Sequence, residues 1–141
     1  MSDPDVSFAK LDRAGDERFQ SLRRPLEGRS LGINVLTLQP GQRGRVHAHA
    51  GQEEYYLVLE GRLTLAVEGV EHELGVDDIA RVGPTTRRQL VNRSPARVVL
   101  LALGAAGEHE PRDASAWHSW EEEGEGHPPQ EVPFPADLPP G

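Results

Sequence analysis

Two histidines separated by one residue, His47 and His49, precede a glutamate, Glu54, in the stretch GQRGRVHAHAGQEEYYLVLEG, residues 41–61. On a β-strand, residues two apart share a face and stand roughly 6–7 Å apart along it, so the two imidazoles project side by side while Ala48 points away. A turn at Gly51 returns the chain, and the next strand can set a carboxylate opposite the pair, with Glu54 and Tyr56 on one face and Glu53 and Tyr55 on the other. Two imidazoles and a carboxylate on adjacent strands make a facial triad that suits divalent iron, manganese, nickel or zinc and leaves coordination positions open for substrate. A His-x-His pair alone is also what a solvated strand face carries, so its surroundings decide.

Those surroundings are short apolar or alternating runs between Leu31 and Leu103: LGINVLTL, RVHAHA, EYYLVLE, RLTLAVE, VEHEL, DIARV, RRQLVN and RVVLLAL. Glycine or proline marks most of the breaks, including Pro40-Gly41, Gly51, Gly61, Gly69, Gly75 and Gly83-Pro84. Spacing of this kind predicts antiparallel strands in a sandwich or barrel. Tight hairpins are expected at Gly61 and Gly69. No sustained period of 3.6 appears there, which argues against a parallel sheet with crossover helices. Before this region, DERFQSLRRPLEG fits a helical turn or an edge strand ended by Pro25.

The chain has 141 residues, 36% of them hydrophobic, and no cysteine. That is enough for one core, and it excludes disulfides, thiolate metal sites and cysteine nucleophiles. Residues 1–103 balance 14 Lys or Arg against 14 Asp or Glu, whereas residues 104–141 hold one against nine. The excess negative charge opposes binding to nucleic acid or an anionic membrane, which needs clustered positive charge. No apolar run is long enough for a membrane span, and the start MSDPDVSFAK lacks a signal-peptide pattern, so the expected compartment is the cytoplasm.

Residues 104–141 also carry seven of the 12 prolines and the run EEEGEG. Composition of this kind predicts disorder, yet tryptophans at 117 and 120 favour docking of AWHSW on the body or on a second subunit. The expected organisation is an N-terminal arm (1–30), a β body (31–103) and an acidic, proline-rich tail (104–141) with a docked tryptophan segment.

The stretch from Gly41 to Gly61 resembles the first motif of the cupin family: a glycine, five residues, His-x-His, four residues, a glutamate, six residues and a glycine. Gly41, His47, His49, Glu54 and Gly61 meet every spacing. The resemblance implies an all-β chain folded as a single jelly-roll β-barrel, with a possible divalent metal held by His47, His49 and Glu54 inside its mouth. It also implies a homodimer.

The family's second motif, a glycine, five residues, Pro-x-Gly, two residues, a histidine, three residues and an asparagine, is degenerate. Anchored on Asn92, it places Asp77, Gly83, Thr85 and Arg88 at the glycine, proline, second glycine and histidine. The fourth ligand of the family is therefore missing, because a guanidinium keeps its proton and offers a metal no lone pair. Three arrangements follow. Arg88 pairs with Glu54 in a pocket with little affinity for metal; or three ligands hold the ion while Arg88 binds an anionic substrate; or a register shift turns Arg88 outward and brings in Arg87 and Gln89.

Tyr56, with Arg88, is the expected substrate-facing residue, and Leu57 and Leu59 on the opposite face suggest a second buried layer or a subunit interface. His72 reads as part of a solvated strand face, His109, His118 and His127 lie in the tail, and His118, between the two tryptophans, reads as a surface residue or a contact to a neighbouring subunit. Two functions remain: a metal- or ligand-binding barrel for a small anionic molecule, without turnover, or a metal-dependent dioxygenase, isomerase or decarboxylase acting on a small carboxylate-bearing substrate. The catalytic residues are not assigned.

Overall fold

The structure is a computed structural model that describes residues 5–105 and 113–139. Each apolar run between Leu31 and Leu103 forms a strand, because alternation buries one side chain in two and the intervening glycines and prolines end the pairing. In chain order the elements are β1 (Phe19–Ser21), α1 (Arg23–Leu26), β2 (Gly32–Leu38), β3 (Val46–His49), β4 (Glu53–Glu60), β5 (Leu63–Val67), β6 (Val70–Leu74), β7 (Ile79–Val82), β8 (Arg88–Val91), β9 (Val98–Ala105) and β10 (Ala114–Trp117). A 3-10 turn follows at Pro129–Glu131. The N-terminal arm supplies both an edge strand and a helical turn, with Pro25 inside the latter.

The expectation of a closed jelly-roll barrel is corrected. The strands form two separate five-stranded sheets, in the orders β1-β2-β9-β4-β7 and β10-β3-β8-β5-β6, with antiparallel pairing throughout. Among the described residues β1 is not paired with β7, nor β10 with β6, so neither sheet closes on itself. Alternation says which face of a strand is buried but carries no information on whether first and last strands join, which requires matched tilt and stagger. The edges are blunted locally instead: β1 is three residues long, and β6 presents Glu71, His72 and Glu73 to solvent. Charged or short edges resist pairing.

The main core lies between the sheets, where Leu36, Tyr56, Val58, Leu100 and Ala102 from the first meet Leu63, Leu65 and Leu90 from the second. A smaller layer of Leu22, Val35 and Val99, flanked by Leu26, Ile33, Leu59 and Leu101, covers the outer face of the first sheet. The two motif glycines have backbone reasons. Gly61 turns with φ +80°, and a Cβ there would sit 2.3 Å from the Arg97 carbonyl oxygen; Gly41 has φ +85° and would bring a Cβ to 3.0 Å from the Leu138 oxygen. Such angles favour a residue without a side chain.

The later segment winds back over the body. β10 pairs with β3 in the register Ala114↔His49 and Ala116↔His47. Trp117 is buried against Val46 and Ala48, with Trp120 partly covered beside it. The Trp117 indole N–H donates to the Gly124 oxygen at 3.1 Å, the Trp120 N–H to Gln89 Oε1 at 3.0 Å, and Arg87 lies over the Trp117 ring at 3.8 Å. Further on, Arg43 donates to the Ala136 oxygen, Arg45 to the Val132 oxygen and the Leu138 N–H to the Gly41 oxygen. Residue 109 lies outside the described residues. Among the described residues no helix is long and apolar enough to cross a membrane.

Candidate metal centre

His47 and His49 sit on β3 in one sheet, and Glu54 on β4 in the other. The turn at residues 50–52 thus carries the chain across the sandwich, and the carboxylate faces the imidazoles over the gap between sheets, where a hairpin would have set it beside them. His47 Nε2 is 3.2 Å and His49 Nε2 3.1 Å from Glu54 Oε1, and the imidazole centroids lie 5.6 Å apart at 83°. One ligand atom from each of the three falls within 4.8 Å of the others.

Each member has a fixed neighbour beside it. His47 Nδ1 lies 3.2 Å from the Arg45 carbonyl oxygen, a contact that fixes its proton there and leaves the Nε2 lone pair for the centre. His49 Nδ1 faces Asp113 Oδ2 at 3.4 Å. Asp113 is itself fixed by backbone N–H groups of Gly51 and Gln52, at 3.0 to 3.1 Å. The Tyr56 hydroxyl donates to Glu54 Oε1 at 2.5 Å. Outer partners of this kind orient metal-binding imidazoles and carboxylates.

Arg88 is wholly buried and directly opposite His47 in the β3–β8 register, which excludes the shifted register. Its Nη1 and Nη2 donate to the carbonyl oxygens of Pro84, Val82 and Gly83 at 3.1 to 3.4 Å, while Nε stands 3.6 Å from Glu54 Oε1 without a hydrogen bond. The arrangement is neither a closed fork on Glu54 nor an arginine turned to a ligand: the guanidinium tips are tied to the backbone and only its edge faces the carboxylate. Arg87 and Gln89 point elsewhere, onto Trp117 and Trp120.

Burial pushes the Glu54 carboxyl up, but when the rings are protonated the hydrogen bond from His47, the neighbouring His49 and the charge of both outweigh it and hold the group well below the usual carboxylate range. Tyr56 moves the other way: burial, then the Glu54 charge, drives its phenol well above the usual value, so it stays a neutral donor.

A divalent ion fits this donor set. Four groups converge on the single oxygen Glu54 Oε1, and with its one proton on Nδ1 the His47 ring would turn a lone pair toward it. Two acceptors so placed need a proton or a cation between them. His49 is within reach of the same oxygen but out of line, and both its ring nitrogens are buried without a hydrogen bond. A buried imidazole in that state is costly unless a ligand satisfies it.

The trio lines one wall of a cavity of about 350 Å³ that also exposes Tyr56, Arg45 and Phe134. The space exists because the first sheet offers little volume opposite the histidines: Gly32, Gly104 and Glu54 occupy one cross-strand row, and Ala102 the adjacent one. Arg88 is absent from the wall. Asp113 and Phe134 carry no local signal in the sequence, since each reaches the site through pairing or packing of distant segments, whereas Arg45 stands two residues before His47 and strand alternation could have found it.

A family model described as the cupin domain matches residues 34–104. A sugar phosphate isomerase from a cupin superfamily, from Silicibacter pomeroyi, aligns with TM-score 0.63 and 28% identity over 72% of this chain and 65% of that one. A cupin protein from Bacteroides fragilis aligns with TM-score 0.67 and 21% identity, over 76% of this chain and 90% of its own. Among curated proteins, a probable oxidoreductase, yanE, of Aspergillus niger is 29% identical over 92 residues, 64% of this chain; the chain spans 34% of its length.

Proposed function

This chain belongs to the cupin family, and from that premise we propose that it is a metal-dependent enzyme acting on a small anionic substrate. The observation that carries the reading is the convergence of His47, His49 and Glu54 on one point of a cavity wall. A divalent ion held there supplies Lewis acidity toward a substrate oxygen. The chain's own residues do the rest. Asp113 and the Arg45 carbonyl hold the two imidazoles, Tyr56 and Arg88 hold Glu54, and the Arg45 guanidinium meets the anionic end of the substrate beside Phe134. Among reaction classes we favour isomerisation of a carbonyl-bearing phosphate or carboxylate, which the solved sugar phosphate isomerase supports by likeness.

The test is metal content and turnover together. Protein supplied with iron, manganese, nickel or zinc should lose one equivalent of metal on Glu54→Ala, and loaded wild type alone should turn over small sugar phosphates or 2-oxo acids followed by NMR. Equal metal content in both proteins would remove the centre. Metal and ligand binding without turnover would favour a non-catalytic binding protein, the reading supported by a buried Arg88 where the family has a fourth ligand. A homodimer in the cytoplasm belongs to the same proposal, and sedimentation at the mass of one copy would count against the dimer.

A further inference from the structure

Directly after β10 the chain makes an acidic excursion, residues 118–127, and returns to the same strand. We propose that His118, Glu122 and His127 form a second divalent-metal site, suited to zinc or an ion of similar preference, on the outside of the body and independent of the cavity trio.

The three side chains already face one another. His118 Nδ1 is 3.1 Å from Glu122 Oε1, His127 Nε2 is 2.7 Å from Glu122 Oε2, and the rings stand edge to face with centroids 4.9 Å apart. One ligand atom from each lies within 4.8 Å of the others. Bond lengths of about 2.0–2.2 Å put two ligands of one tetrahedral zinc roughly 3.3 Å apart, so modest rotation of exposed side chains completes the set. Two imidazoles and a carboxylate are the donors that zinc, nickel and cobalt accept, with the remaining position left to water. His118 is exposed and Glu122 and His127 are partly so, giving an ion a path in.

The scaffold is fixed before any ion arrives. His118 follows the last residue of β10, and His127 exchanges two backbone hydrogen bonds with Ala116, each 2.8 Å long. Between them, Arg87 donates to the carbonyl oxygens of Glu122 and Gly124, and Trp117 donates to Gly124. Little chain entropy is therefore lost on binding. The hydrogen bond from His127 and then the backbone N–H of His118 pull the Glu122 carboxyl down to about 2, so it is an anion at neutral pH. Glu121, Glu123 and Glu125 add negative charge around it. Glu122 Oε1 also caps the His118 N–H at 2.7 Å. That contact keeps the carboxylate in place, while an ion would displace the protons that the two rings share with it.

The experiment uses the full chain, stripped with chelator and titrated with zinc by equilibrium dialysis and elemental analysis. Two equivalents are expected in the wild type, one in His127→Ala, one in Glu54→Ala and none in the double variant. Loss of an equivalent in His127→Ala with no change in Glu54→Ala would sink the cavity metal and leave this site standing. Unchanged stoichiometry in both His127→Ala and Glu122→Gln would overturn it. Should either variant fail to fold, the wild-type imidazole NMR signals decide: zinc should shift those of His118 and His127, and unshifted signals would end the proposal.

Discussion

Asp113 is the residue whose removal separates orientation of the centre from mere folding. Its carboxylate accepts from the N–H groups of Gly51 and Gln52, and its Oδ2, which takes part in both, also lies 3.4 Å from His49 Nδ1. Gly51 is exposed, so water replaces that bond in Asp113→Ala, whereas Gln52 is 2% exposed and its N–H loses a charged acceptor. The bond from Gln52 to a charged group contributes about 1.5–3 kcal/mol and the exposed one from Gly51 about 0.5–1, so a loss of about 2–4 kcal/mol is expected. For a chain of this size that lowers Tm by roughly 6–12 °C. Loss of the outer partner of a metal-bound imidazole weakens metal binding by about 10–100-fold. The assay is thermal unfolding of chelated protein, together with zinc competition against a chromophoric chelator in a His127→Ala background. Asp113→Asn should recover part of the stability and little of the affinity. A variant with lowered Tm and zinc affinity within about twofold of its parent, against that expected loss, would refute an orienting role for Asp113.

Arg88→Met should destabilise the metal-free protein by about 3–5 kcal/mol, because it leaves buried Glu54 without its neighbouring cation. It should also raise zinc affinity by removing a positive charge close to the ion; unchanged affinity in chelator competition would contradict that placement. Trp117→Ala should cost about 3–5 kcal/mol in urea unfolding and speed amide exchange along β10. A cost below about 0.5 kcal/mol, the scale of a surface change, would mean the indole does not anchor the segment. The depressed Glu54 carboxyl gives metal-free protein a stabilising term that is complete above its unfolded pKa of about 4.3 and is lost as pH falls toward the lower folded value. Glu54→Gln should flatten the acid limb of the stability profile, and an unchanged limb would assign it to other carboxylates.

The strands from β2 to β9 were legible because alternation and turn residues act over a few neighbours, and the His47–His49 pair because a strand alone fixes which residues share a face. Gly41 and Gly61 belong to the same class, as local backbone angles demand them. Closure was not legible: whether β1 meets β7 depends on tilt and stagger summed over a whole sheet, and the sheets stay open. Nor did the segment after residue 113 announce β10, since the four residues ASAW gain strand geometry only from pairing with β3. Tertiary structure alone set Glu54 across the sandwich from the histidines, put Asp113 behind His49, tied the tips of Arg88 to carbonyl oxygens and gave Arg45 and Phe134 to the cavity. Asp113 and Phe134 come from segments far from the histidines, and although Glu54 and residues 82–84 lie near their partners in the chain, the sheet each strand joins is set by pairing with distant strands that no local residue pattern encodes.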